Sequence, residues 1–272
     1  MVGLPRVARA RRVLDRFNAA DGGLLAAGVA YNVVLALIPI GIVATGVAGL
    51  VLNDARSRAD LVSAIVAFLP PLAGVVDEIV GGLSRASPSL SIIGLALAAW
   101  GTSRLFAALE SAIAQMDGGP RRSFVNRAAR RLGSIAVLAA VLVASLVVTP
   151  ALAIAVEMSG NGPARPVLDV LLATLPPVLG GVALAAVYRL IPLPRPTWRA
   201  IGPPAFVGAV VLVVLTRLFV FLAPRVFGTN LVYGTLGAIL IGLTWLDLVF
   251  TVVLLGAAWV RERATTAEAV VV

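Results

Sequence analysis

Six long apolar stretches divide this 272-residue chain, and they constrain its fold more than any other feature. They run over Leu24–Leu52, Leu90–Ala114, Leu132–Val156, Val167–Ile191, Ile201–Ala223 and Leu236–Val260. A bilayer core of roughly 30 Å is crossed by about 20 apolar residues in a helix, and each stretch is long enough. None alternates with a period of two, so helices are favoured over barrel strands. Lipid offers the backbone no hydrogen-bond partners, and a helix satisfies its own peptide groups. The sequence therefore predicts an all-α, polytopic membrane helical bundle with six transmembrane helices. Residues 1–23 form a basic cytoplasmic N-terminal segment, 24–260 the membrane domain and 261–272 a cytoplasmic tail.

Charge sets the orientation. The chain carries 22 Arg, no Lys and 13 acidic residues, a formal +9. With the N-terminus inside, 15 Arg fall in internal segments, five in external ones and two within spans. That asymmetry is a positive-inside signal and predicts cytoplasmic termini. It also accounts for the basic balance without nucleic acid, the partner that such a balance otherwise suggests. The basic start resembles a signal n-region, but the following apolar run is too long for an h-region, so it is expected to remain as the first span.

A further uncharged run, Leu61–Val76, is broken by Pro70 and Pro71. Its apolar residues recur every three to four positions from Leu61 to Leu83, as in an amphipathic helix. Were it to span, the five-Arg segment 121–131 would fall outside. Residues 59–84 are therefore read as an external helix pair, lying on the outer leaflet or re-entering it.

Several local strings look familiar. The first span reads Ala30-Tyr31-Asn32-Val33-Val34-Leu35-Ala36-Leu37-Ile38-Pro39, and the second contains Leu105-Phe106-Ala107-Ala108-Leu109-Glu110. Tyr188-Arg189-Leu190-Ile191-Pro192 and Thr197-Trp198-Arg199 follow the fourth span. The last begins Tyr233-Gly234-Thr235-Leu236-Gly237-Ala238 and ends Leu254-Leu255-Gly256-Ala257. In this order they resemble the YihY/virulence factor BrkB family of bacterial inner-membrane proteins, whose members once carried the name ribonuclease BN. The resemblance runs from about residue 20 to 262. It implies a six-helix inner-membrane protein with cytoplasmic termini, and a role in moving lipids or other amphiphiles in envelope biogenesis.

Charges within spans are the sharpest chemical signal, since each costs about 2.5–3.5 kcal/mol at a helix centre on insertion scales. Arg104 lies about 21 Å and Asp247 about 16 Å below the external ends of their spans. Both are near the midplane, and the spacing predicts that they pair. Arg217 lies about 9 Å from the external surface, a depth from which it snorkels to the headgroups. Glu110 sits one turn from the cytoplasmic end of its span. Trp100 and Arg104 are four residues apart on one helical face, a spacing that suits a cation–π pair.

Tyr31, Asn32 and Pro39 form a second cluster. An amide at the depth of Asn32 is expected to find a partner on another helix. Pro39 frees a backbone carbonyl and is expected to kink the first helix, whose 29 residues extend about 44 Å if straight. Pro150, Pro176 and Pro177 are expected to break spans three and four, as at transporter sites. On the cytoplasmic side Tyr188, Arg189, Arg195 and Arg199, with Arg121 and Arg122, form a basic rim suited to anionic headgroups.

The expected function is transport or handling of a lipid or other amphiphile. The alternative is a non-transporting scaffold for an envelope complex. Enzymatic activity is not expected. The chain has no His and no Cys, and metal-dependent phosphodiester cleavage wants clustered carboxylates or His. Its acidic residues cluster only at Asp77-Glu78. No cofactor is expected, and Gly118-Gly119-Pro120 lacks the Lys and spacing of a phosphate-binding loop. The expected partners are membrane lipids, anionic ones included, with a second copy of the chain or an envelope protein left open.

Overall fold

The computed structural model describes residues 5–51, 90–117, 165–191, 196–227 and 234–271, with scattered positions between 148 and 162. Among them the chain forms six helices: α1 (Pro5–Ala19), α2 (Gly22–Val51), α3 (Leu90–Asp117), α4 (Arg165–Leu190), α5 (Trp198–Phe227) and α6 (Gly234–Val271). No strand occurs among the described residues. Most of the span expected over 132–156, the external pair over 59–84, and Pro150, Arg121, Arg122 and Arg195 lie outside the described residues.

The helices α2 to α6 occupy five of the six apolar stretches. Three segments are long and apolar enough to cross a membrane, namely Arg165–Leu190, Trp198–Leu222 and Ile239–Thr266. A bent pair, Val7–Ala19 with Gly22–Ala36, meets the same test as one unit. The segment before residue 24 is thus largely helical. Its helix α1 carries five arginines on an amphipathic frame.

Helix α2 is continuous through Pro39 to Val51. The chain turns instead at Ala20–Asp21, by 62°. There Ala20 N–H donates to Arg16 O at 3.2 Å and Asp21 N–H to Asn18 O at 3.0 Å, closing α1. Asp21 adopts φ 51°, a left-handed conformation that Asp tolerates better than most residues. Gly22 follows because the Phe17 ring lies against it, where a Cβ would come within 2.4 Å of the ring. Pro176 and Pro177 do not end α4, which runs on to Leu190. Proline in a membrane helix is tolerated when the freed backbone groups are satisfied nearby.

The chain divides into two compact units. One comprises residues 1–22, 112–214 and 252–272, and the other residues 23–111 and 215–251. In the first, α4 and α5 pack through small residues. Gly180 and Gly181 approach the Ala209 Cβ, and Gly208 meets Leu184 Cδ1 at 3.0 Å from where its own Cβ would stand. Such contacts let helix backbones come close where no hydrophobic effect drives them together. In the second unit the core gathers Ala30, Trp245 and Leu246, with Val33, Val34 and Phe219 packed against them.

Candidate functional site

In the first unit the side chains of α1 and α6 meet over the end of α3. Arg12 and Arg16, four apart on one face of α1, both face Glu262. The Arg12 guanidinium donates through Nε to Glu262 Oε1. Arg16 reaches Glu262 Oε2 only at 3.9 Å, and its Nη1 donates to Met116 O at a long 3.5 Å. The Arg16 Nε is buried without a partner. Glu262 is the one buried charged residue among those described, and burial of a carboxylate is tolerable because it is paired. Beside these groups opens a cleft of about 730 Å³, walled by Arg12, Asp15, Arg16, Gln115, Met116 and Glu262 and otherwise by alanines.

None of this cleft was foreseen, because the arginines of α1 were counted only as topology determinants. The usable signal was local. Arg12 and Arg16 are spaced to share a helix face, and Glu262 is a lone acid between Arg261 and Arg263.

The basic rim takes a different form from the one expected. Tyr188 does not face headgroups. It is fully buried, and its hydroxyl donates to Val253 O at 2.9 Å across the α4–α6 contact. Gly256 makes room for it, since a Cβ there would stand 2.0 Å from Tyr188 Oη. An aromatic ring near a helix end is drawn inward when a glycine on the next helix leaves it a socket. Arg189 donates to Pro196 O and lies over the Trp198 ring at 5.3 Å, so it is engaged in closing the α4–α5 turn. Arg199 is exposed, and its carbonyl accepts from Arg263 at 3.1 Å.

In the second unit the expected ion pair is absent. Arg104 is exposed and lies over the Trp100 ring of its own helix at 5.1 Å, the cation–π arrangement expected from their spacing. Asp247 keeps Oδ1 buried without a hydrogen-bond partner, and no ion pair joins it to Arg104 among the described residues. Sequence gives the depth of a residue in a helix but not the rotation of that helix, and similar depth alone does not bring two side chains together. The Trp245 Nε1, two residues earlier on α6, is also buried and unpartnered.

Asn32 differs from expectation too. Its amide donates to Gly28 O at 2.7 Å, one turn back on α2, instead of reaching another helix. Gly28 leaves open space beside that carbonyl, so the local bond forms without obstruction. Tyr31 is exposed, as is Arg217 on α5. Glu110 is partly buried and has a partner. Pro39 lies within α2, and its side chain is outside the described residues.

Long apolar helices, three of them and one bent pair sufficient to cross a bilayer, define a helical membrane protein. Residues 13–270 match the virulence factor BrkB family, and the chain belongs to that family. It is 30% identical over 249 residues to the UPF0761 membrane protein azo3165 of Azoarcus sp. (strain BH72), covering 89% of this chain and 60% of that protein. It is 24% identical over 263 residues to a UPF0761 membrane protein of Chromohalobacter salexigens, covering 93% and 63%. The chain thus spans about three fifths of the length of these curated relatives. No solved structure matches it.

Proposed function

We propose that this chain is a six-span protein of the bacterial inner membrane, with both termini in the cytoplasm, that binds and moves a lipid or other amphiphile and performs no enzymatic chemistry. The observation that carries this reading is Asp247, a carboxylate with a buried, unpartnered oxygen in the middle of the apolar stretch 236–260. An ionisable group within a membrane helix is costly, and such groups mark substrate or ion pathways. The arginine-rich ends of α1 and α6 and the positive-inside asymmetry support the orientation.

The test is reconstitution of the purified protein into liposomes carrying a fluorescent phospholipid analogue, with interleaflet movement read by dithionite quenching. Movement faster than in protein-free vesicles, slowed by Asp247→Asn, is the expected result. Wild-type protein that leaves the rate at the protein-free level overturns the reading. The chain has no cysteine, so single cysteines placed by Arg225→Cys and Thr266→Cys report topology through an impermeant thiol reagent. Only the first is expected to label from outside the cell.

A further inference from the structure

From the cleft between α1, the end of α3 and the end of α6, we infer a binding site for a zwitterionic phosphoethanolamine group, with Arg16 receiving the phosphate and Asp15 the ammonium. The inference deepens the lipid-handling reading and rests on it only for the source of the ligand.

Arg16 is the starting point. A guanidinium carries five N–H donors in a planar fork that matches the oxygens of a phosphate. In Arg16 that fork is nearly idle. Its contact with Met116 O is at the limit of a hydrogen bond, its approach to Glu262 is beyond one, and Nε is buried with no partner. Glu262 is already committed to Arg12, which donates to it directly. The terminal Nη1 and Nη2 donors of Arg16, held only by these long contacts, are therefore left for a group in the cleft whose wall it forms.

The sign of the remaining wall narrows the ligand. Two arginines and two carboxylates line the cleft, so its formal charge is zero. A multiply charged anion gains little from such a wall, because Asp15 and Glu262 repel what the arginines attract. A zwitterion gains at both ends. Asp15 is exposed on the same wall, three residues before the exposed Asn18, and no ion pair engages it among the described residues. A primary ammonium donates hydrogen bonds to such a carboxylate, which a quaternary ammonium cannot. The volume of about 730 Å³ lies within the range of small-molecule sites. Ala19, Ala20 and Ala114 are the small side chains on that wall. The same chemistry is offered by a phospholipid and by a soluble glycerophosphoethanolamine.

The experiment is isothermal titration of the purified full chain in detergent with dihexanoyl phosphoethanolamine, phosphocholine and phosphoglycerol lipids, each below its critical micelle concentration. Glycerophosphoethanolamine forms a fourth arm. Phosphoethanolamine is expected to bind at least about tenfold more tightly than the other two head groups, the effect of one hydrogen-bonded charge. Arg16→Lys keeps the charge but loses the fork, and is expected to weaken phosphoethanolamine binding about tenfold. Asp15→Asn, a change at an exposed position that the fold tolerates, is expected to abolish the preference over phosphoglycerol while leaving phosphoglycerol binding in place. A soluble head group that binds as tightly as the lipid supports the site and assigns it to a water-soluble ligand. Weaker binding of that head group supports the site and assigns it to the lipid. Equal binding of all three lipids by the wild type, or a preference for phosphoglycerol, overturns the proposal. Selectivity without interleaflet movement would remove the transport reading alone, and movement without selectivity removes this proposal alone.

Discussion

The two units differ in how far their described polar side chains reach from one helix to another. In the first, several polar groups join one helix to another: Tyr188 to Val253 O, Arg12 to Glu262, and Arg263 to Arg199 O, beside Thr174, Thr265 and Thr266, which bond back to their own helices. Its unpartnered donors are Nε atoms of Arg16, Arg261 and Arg263, on side chains that are only partly buried. In the second, several of the described polar groups turn back on their own helix or find nothing. Asn32 bonds Gly28 O, Thr244 bonds Leu240 O, and Arg104 lies over Trp100, while Asp247 Oδ1 and Trp245 Nε1 stay buried and unpaired. A helix–helix hydrogen bond in a membrane protein stabilises by only about 0.6 kcal/mol on average. The contrast thus concerns specificity more than total stability. The first unit fixes the register of its helices with side-chain bonds, and the second holds its register by apolar packing around Trp245.

The largest expected effect tests the fixed contact. Gly256→Ala places a Cβ 2.0 Å from Tyr188 Oη and 2.8 Å from Cζ, so the ring must leave its socket. Thermal unfolding in detergent should show a loss of about 2–3 kcal/mol. Next comes Asp247→Leu, where the sign reverses. Removing a carboxylate whose buried oxygen nothing compensates should raise stability by about 1–3 kcal/mol while slowing lipid movement. A loss of stability would show that Asp247 is paired, and the contrast between the units would fail. Tyr188→Phe keeps the ring in its socket and removes one hydrogen bond, for an expected loss of about 1 kcal/mol in the same unfolding measurement. The smallest effect belongs to Arg104→Ala. Its cation–π contact is exposed and lies within one helix, so the expected change is about 0.5 kcal/mol. A much larger loss would mean that Arg104 holds another helix after all.

Much of the architecture could be read in advance because apolar length and backbone hydrogen bonding act locally. Helices lie where the apolar runs lie, and Trp100 meets Arg104 because a four-residue spacing fixes both on one face. Contacts between helices were legible only in part. Tyr188 gave no sign of being buried, since its socket is a glycine 68 residues further on. Pro176 and Pro177 signalled a break that α4 does not take, whereas the bend at Ala20–Asp21 was missed. Its cue was quieter: an Asp able to adopt the left-handed conformation, followed by a glycine beneath Phe17.

By itself the sequence determined that this is a helical membrane chain of the BrkB family, because hydropathy, charge asymmetry and local strings are properties of the chain alone. The tertiary structure decided which polar groups meet. It paired Glu262 with Arg12, left Asp247 without Arg104, and opened a neutral cleft beside Arg16. These outcomes depend on how each helix is rotated about its axis. That rotation is set by the packing of small and large side chains between helices, and no periodicity within a single helix encodes it.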